Sequence, residues 1–458
     1  MTGLTVAVAR HIASVPADAL SPTAMHASER SLLDAVGVML GATTLGEGVA
    51  PFADLAALSP GPCTVLGRGY RAQPLAAALA NGALAHALDY EDALDGAPIH
   101  PNAAVVPVAM ALSEDQPGIT GRELMTAIAI GCDLVCRLGL ALERNPDEFG
   151  WYPPPILSTF GAAATAARLL KLNEDQTVHT LALALAQATF SSEFKTSPDS
   201  SLRAVRDAFA AHAGLLAATL AQRGVHGHHT ALDGKAGLFA LFARGHWRPE
   251  TITDRLGEKF HGEDLSYKPW PSCRGTHAFI EAALLLRRNI ANLSEIAAIE
   301  ASGPPLLIML VEPMAQKRAP ATAIDAKFSL PFCIAAALVD GAVTLPTFFE
   351  AGRLQPETLA LARLVSFTVN PSLGMKDAAS GTLTIRLRDG RTLRHAVTQA
   401  SGSPANPLDD EALLRKFEDC AHYANPAIEP SGAKGIGRSL LRAATVRSAS
   451  HLFAEFNP

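Results

Sequence analysis

No uninterrupted apolar run in this chain of 458 residues reaches membrane-span length, because its Ala-rich segments are broken by Gly, His, Gln or Arg. Nothing at the start of the sequence resembles a signal peptide, since no basic stretch leads into a long apolar one. Cysteine is sparse. There are six, with no CxxC pair, which points to free thiols in a reducing compartment rather than to a disulfide framework. Cys132 and Cys136 stand one helical turn apart among Ile130, Leu134, Val135 and Leu138, and read as buried core. Charge is modest as well. Charged residues make up 18% and the formal net charge is -6, which gives no general attraction to nucleic acid or to an anionic membrane. The expectation is a soluble, cytoplasmic protein with no nucleic-acid or membrane partner. Any site for an anionic substrate must then be a local basic pocket.

What is present is apolar and helical. Apolar residues make up 48%, enough for a large buried interior, and the length suggests two domains. Ser28 to Leu40 is amphipathic and is expected to stop at Gly41. Pro74 to Leu88 is nearly all Ala and Leu around Asn81-Gly82. Thr120-Gly121-Arg122-Glu123 has the form of a capping box and opens a helix towards Glu143. Helices are also predicted over Val105–Glu114, Phe160–Leu170, Thr177–Thr189 and Ser201–Arg223. Their small residues let backbones approach closely, which suits a tight multi-helix bundle.

The character changes after Lys268. Ile296–Ala301 and Leu364–Val369 read as short strands. Thr382–Arg388 alternates Leu383, Ile385 and Leu387 with polar residues, and Asp389-Gly390 turns it into Arg391–Val397, a β-hairpin. Helices at Thr276–Arg288, Ala326–Asp340 and Pro356–Leu361 are interleaved. Asp409–His422 and Gly437–Phe456 return to helix. The fold class is therefore mainly α: a discontinuous all-helical bundle domain (residues 1–267 and 405–458) with an inserted smaller α+β lid domain (residues 268–404).

Two motifs invite a function they do not carry. Gly67-Arg68-Gly69-Tyr70-Arg71-Ala72 matches a dinucleotide fingerprint, but Pro74 and a helical bundle follow where a βαβ unit is required. His226-Gly227-His228-His229 lies in a Gly-rich connection with no neighbouring Asp or Cys pair, and reads as solvated histidines.

Two other segments concentrate proton carriers beside Gly or Pro breaks. In the first, His86, Asp89 and Tyr90 fall at i, i+3 and i+4, one face of a continuing helix, and His100 is held extended by Pro101. An imidazole there can act as acid or base near neutral pH. In the second, Lys268 precedes Pro269, and Arg274 and His277 stand at a helix start, an arrangement that suits a carboxylate. Arg203 and Arg206 add two arginines at i, i+3, and arginine binds carboxylates bidentately. The residues point to a non-nucleotide, metal-free site for a small polycarboxylate, with proton transfer beside a carboxylate.

The chain resembles the MmgE/PrpD family. The likeness runs through Val65-Leu66-Gly67-Arg68-Gly69, Asn81-Gly82-Ala83, His86-Ala87-Leu88-Asp89, His100-Pro101, Phe160-Gly161-Ala162-Ala163, Ala326-Lys327-Phe328-Ser329-Leu330-Pro331-Phe332, Asn406-Pro407-Leu408 and Lys416-Phe417-Glu418-Asp419-Cys420. The resemblance implies a homodimer and an enzyme needing neither metal nor organic cofactor. It carries site roles to Asp89, His100, Lys268 and His277. Three positions depart from the family pattern. Tyr152 stands where a histidine is usual, Arg203-Ala204-Val205-Arg206 replaces Lys-x-x-His, and Glu91-Asp92-Ala93 replaces Asp-Asp-Thr. Lys268, Tyr152, His100, Asp89 and His277 are the expected catalytic groups; Arg203, Arg206, Arg274 and His86 are the expected substrate-binding ones. The expected activity is a lyase, dehydratase or decarboxylase, acting on a di- or tricarboxylate. A two-base epimerase and a non-catalytic metabolite-binding protein are the alternatives.

Overall fold

The computed structural model describes residues 3–197 and 200–456. The chain is mainly α and divides into two compact units. The first comprises Met1–Leu94, Pro98–Leu265 and Asp409–Pro458; the second comprises Asp95–Ala97 and Ser266–Leu408.

In the first unit, helices α1 (Leu4–Ser14), α2 (Pro22–Leu45), α3 (Ala50–Ala56) and α4 (Pro74–His86) are followed by α5 (Asn102–Asp115) and α6 (Gly121–Ala141). Then come α7 (Pro153–Leu169), α8 (Glu174–Leu185) and α9 (Leu202–Gln222). A two-stranded antiparallel ribbon, β1 (Pro60–Thr64) and β2 (Arg71–Ala72), precedes α4. Glycines let the helices meet backbone to backbone. A Cβ at Gly131 on α6 would stand 2.0 Å from Thr165 Oγ1 of α7, and one at Gly161 would stand 2.3 Å from Val135 Cγ2. By length and composition α6 is apolar enough to cross a membrane, although its sequence carries Asp133 and Arg137. That window is 94% buried within the fold, and α6 serves as a core helix. The two charges face each other: Arg137 donates to Asp133 and to the carbonyls of Ile252, Asp254 and Lys259.

Several helix limits differ from those expected, each for a tertiary reason. Gly41 does not stop α2, which runs on to Leu45. Instead Gly37 and Gly41 admit the helix Asp410–His422: a Cβ at Gly37 would lie 3.0 Å from Phe417 Cδ2. The α7 helix opens at Pro153 rather than Phe160, proline being well placed in a first turn where no N–H bond is lost. Ala326–Asp340 is two helices, Ala323–Lys327 and Leu330–Asp340, because Ser329 caps the second through the Phe332 amide. Gly437–Phe456 is the end of a helix Pro430–Leu440 followed by short 3₁₀ turns.

The second unit is built on four strands: β3 (Ile296–Gly303), β4 (Val365–Val369), β5 (Gly381–Leu387) and β6 (Thr392–Val397). Their order is β4-β3-β5-β6, with β3 and β4 parallel and the other pairs antiparallel. The expected hairpin is β5–β6, with Gly390 at φ 88° in its turn. Leu383, Ile385 and Leu387 face a core shared with Phe279, Ile280 and Ala283 of the helix His277–Arg287 and with Phe332.

Candidate functional site

The site residues of the first unit gather where α4 ends. Asn81 ties the middle of this helix to the β1–β2 ribbon, accepting from the Leu66 amide (3.0 Å) and donating to the Thr64 carbonyl (2.9 Å). One residue on, Gly82 lets α9 come close: a Cβ there would stand 2.9 Å from Ala208 Cα and 3.0 Å from the Asp207 carbonyl. That approach places the Arg206-Asp207 pair against the last turns of α4.

The helix ends at His86, so the expected helical face of His86, Asp89 and Tyr90 is not formed. Asp89 is left-handed, at φ 48°, and the chain turns back on itself. The turn brings in a residue that the face argument passed over. Glu91 Oε1 lies 2.5 Å from His86 Nδ1 and 2.9 Å from His100 Nδ1. His100 Nδ1 also lies 2.7 Å from the Asp92 carbonyl. With two acceptors before it, His100 Nδ1 must carry a proton, so any proton exchange with a substrate falls to Nε2. The same reasoning makes His86 Nδ1 a donor to Glu91. Two imidazoles thus face one carboxylate oxygen. His86 is wholly buried, whereas the His100 side chain keeps 17% of its surface exposed and is the outer end of the chain. Asp89 Oδ1 stands 3.9 Å from His86 Nε2.

Burial acts strongly on these groups. It pushes His86 down to about 3, assisted by the positive charge of Arg206 and opposed by Glu91 and Asp89, so His86 is neutral at every physiological pH. Burial first, and the Asp34 charge second, raise Asp92 to about 7, against the hydrogen bond it accepts from Asn102. The folded state therefore holds a proton on Asp92 that the unfolded chain releases from about pH 4 upwards, and stability falls as the pH rises through that window to about 7. Asp92→Asn should gain on the wild type from about pH 4 to about pH 7 and level off above, by a few kcal/mol at most. Thermal melts across that range read it; an offset that does not vary with pH would refute it.

Tyr152 and Arg206 are brought together. Tyr152 precedes the Pro153-Pro154-Pro155 start of α7, and its hydroxyl accepts from Arg206 Nη1 at 2.9 Å. Arg206 is fully buried on α9, and its Nε donates to Asp207 Oδ2 at 3.2 Å. Burial raises Asp207 to about 6, with Arg206 pulling the other way. Arg203 lies one turn earlier, its guanidinium 4.9 Å from the Phe194 ring centre, and Lys195 lies 5.0 Å from the Tyr152 ring centre while paired with Asp147. Two of the three departures from the family pattern, at Tyr152 and Arg206, are thus bonded to each other.

Several buried atoms here have no hydrogen-bond partner: His86 Nε2, Asp92 Oδ1, Asn102 Oδ1, Arg206 Nη2 and Asp207 Oδ1. Each such atom costs on the order of 1–3 kcal/mol, and folded proteins keep few of them. Their concentration in one place is the mark of a polar binding site. Among the described residues, one set has its possible metal-ligating atoms within 4.8 Å of one another: His86, Asp89 and Glu91. A cavity of about 340 Å³ lined by Ala13, Ile119, Glu123, Arg168, Leu169, Lys171 and Leu172 shares no residue with the site.

The remaining expected residues belong to the second unit. Lys268 is fully buried there. Arg274 makes a two-pronged pair with Asp95, Nε to Oδ1 at 3.0 Å and Nη2 to Oδ2 at 2.9 Å, and its Nη1 reaches the Ser401 carbonyl at 2.8 Å. All three guanidinium nitrogens are thus engaged by protein acceptors, and the open carboxylate clamp expected of Arg274 is instead a strut. His277 Nδ1 lies 3.3 Å from Arg274 Nη1 and Nε2 lies 3.2 Å from the Ser272 carbonyl, so the ring bridges the two. Asp95 escaped the sequence reading because nothing local announces a partner 179 residues away. Glu91 and Asp92 were legible as acidic neighbours of His86, but only the stop at His86 gives them their place.

The MmgE/PrpD N-terminal domain model matches residues 6–250 and the MmgE/PrpD C-terminal domain model matches residues 270–429. The chain is similar to the cis-aconitate decarboxylase of Homo sapiens, 27% identical over 412 residues, covering 87% of this chain and 83% of the relative. It is similar to the cis-aconitate decarboxylase-like protein oryM of Aspergillus oryzae, 27% identical over 417 residues, 86% of this chain and 84% of the relative. It is also similar to the cis-aconitate decarboxylase of Aspergillus terreus, 26% identical over 389 residues, 79% of this chain and 77% of the relative.

Proposed function

The chain belongs to the MmgE/PrpD family, and from that premise we propose that it is a cofactor-independent lyase that decarboxylates a small di- or tricarboxylate of the cis-aconitate type. One observation carries the reading: Oε1 of buried Glu91 lies between the Nδ1 atoms of His86 and His100, 2.5 and 2.9 Å away, beside the buried cation of Arg206. Such an arrangement holds an imidazole in one tautomer with its other nitrogen ready to exchange a proton.

In the proposed reaction the bond between a substrate carbon and a carboxylate breaks and carbon dioxide leaves. The electron pair stays on carbon and takes a proton from an acid of the site. His100, through Nε2, is the proposed proton carrier, with Glu91 stabilising its charged form. Arg206, steadied by Tyr152 and Asp207, is the proposed partner of a substrate carboxylate, with Arg203 as a second cation. Charge that develops during bond breaking is best stabilised by groups already fixed in place, and a guanidinium held by two neighbours is such a group. Lys268 is the proposed acid–base group of the second unit.

Proton NMR of cis-aconitate, citrate, 2-methylcitrate and iminodisuccinate in D2O with the purified protein tests the proposal. The expected result is loss of a carboxylate from one acid, with one deuterium incorporated into the product, unchanged after dialysis against a chelator. Deuterium exchange with isomer scrambling and no loss of carbon dioxide would make the protein an epimerase. Activity lost to the chelator and restored by a divalent ion would give His86, Asp89 and Glu91 to a metal instead.

A further inference from the structure

The turn that carries Asp89, Glu91 and Asp92 has no regular structure of its own: α4 ends at His86 and α5 begins at Asn102. A left-handed residue other than glycine, such as Asp89, persists only where its surroundings over-determine it. One of those surroundings comes from far along the chain. Lys416 lies on the helix Asp410–His422 and is 6% exposed. Its Nζ donates to the Tyr90 carbonyl at 2.6 Å and to Asp34 Oδ1 at 2.6 Å, and stands 4.0 Å from the centre of the Tyr90 ring. Tyr90 separates Asp89 from Glu91, so that carbonyl is the peptide oxygen immediately before Glu91. The lysine reaches this depth because α2 offers glycines to its helix; a Cβ at Gly41 would lie 3.4 Å from Cys420 Cβ. Burying an ammonium is costly unless its protons are taken up, and here two oxygens and a ring face take them.

We propose that Lys416 is a positioning residue for this site: by holding the Tyr90 carbonyl and the Asp34 carboxylate together, it fixes the turn that sets Glu91 between His86 and His100 and Asp92 against Asn102. This rests on the reading of that turn as the reaction centre. The lysine acts by two routes. One is geometric, through the peptide that leads into Glu91. The other is electrostatic, since Asp34, which Lys416 neutralises, is after burial the strongest influence raising Asp92. The groups that face Asp92 are Asp34 on α2, Glu91 beside it, Asn102 on α5, and the thiols of Cys132 and Cys136 on α6.

Lys416→Met keeps the apolar stem and removes the charge. The expected result is a fall in kcat of about a hundredfold with KM changed less than about threefold, as a displaced catalytic group produces. A second readout needs no turnover. The infrared carbonyl stretch of the protonated Asp92 carboxyl, identified by its loss in Asp92→Asn, should titrate about one pH unit higher in Lys416→Met, a tenfold change in proton affinity. Lys416→Arg should restore most of both. Phe417→Leu, which disturbs packing of the same helix on α2, should lower the melting temperature and move neither. An unshifted Asp92 band in Lys416→Met, or an equal shift in Phe417→Leu, would overturn the proposal. Should the single variant fail to fold, Asp34→Leu combined with Lys416→Met removes both charges. Its Asp92 band should then titrate lower than in the wild type while kcat still falls; a wild-type kcat would overturn the proposal. A wild-type protein inactive on every acid would remove the lyase reading, and the infrared comparison would still decide the role of the lysine.

Discussion

Glu91→Gln should lower kcat by about a thousandfold, within the range found when a positioned acid–base group is lost or its tautomer spoiled. The amide keeps the size of the side chain, so the fold should survive. It cannot stabilise a charged imidazole as a carboxylate does. At Glu91 Oε1, now an oxygen or an NH2 group, His86 Nδ1 and His100 Nδ1 compete for a weaker acceptor or meet a donor. His100 Nδ1 keeps the Asp92 carbonyl but loses the carboxylate that stabilises its charged form. Steady-state kinetics with whichever acid the wild type decarboxylates would measure this, with circular dichroism to confirm the fold. A fall of less than about tenfold would place the chemistry elsewhere, since general acid–base groups contribute more than that.

Arg206→Met should have the largest effect on stability, a loss of about 3–5 kcal/mol at neutral pH, because it leaves Asp207 buried without a counter-charge and the Tyr152 hydroxyl without its donor. The deficit has a direction in pH. Asp207 is already raised to about 6 by burial, and removing the guanidinium raises it further. A raised carboxyl is bound to its proton in the folded state when the unfolded chain has released it, so the variant should recover as the pH falls from about 8 towards about 5. Urea unfolding at several pH values measures both the size and the direction. Combining Arg206→Met with Asp207→Leu should regain most of the loss, because replacing both members of a buried pair removes the uncompensated charge. A double variant no more stable than the single one would mean that Arg206 stabilises by packing rather than by its charge.

Features set by neighbouring residues were legible in the sequence. The Thr120–Glu123 capping box and the Asp389-Gly390 hairpin are built from contacts within a few positions, and both are present. Features set by distant partners were not. Gly41 reads as a helix stop because a glycine weakens a helix, yet its use is to admit Cys420 and its helix. Asp89 reads as the third position of a helical face because nothing in its type demands a left-handed backbone; the turn around it is held from outside. The site followed the same rule. His86, Asp89 and His100 lie near one another, but not on the helical face expected, while Glu91, Asp92 and Asp207 take their places from where α4 stops and from how closely Gly82 lets α9 approach. Arg274 was read by its charge alone, and its carboxylate partner lies 179 positions earlier.

The pairing of Asp34 with Lys416 spans 382 residues. During synthesis, therefore, α2 leaves the ribosome long before the lysine that neutralises it exists. Until then Asp34 has every reason to stay in water, and the groove beside Gly37 and Gly41 stays open to whatever apolar segment passes. The first unit can close only after the helix that carries Lys416 has emerged. Until then a nascent chain of this kind leaves apolar helix faces uncovered, and such surfaces favour aggregation. Truncation just before the helix Asp410–His422 would be expected to yield a chain that is made and then degraded, rather than a smaller protein with a weakened site.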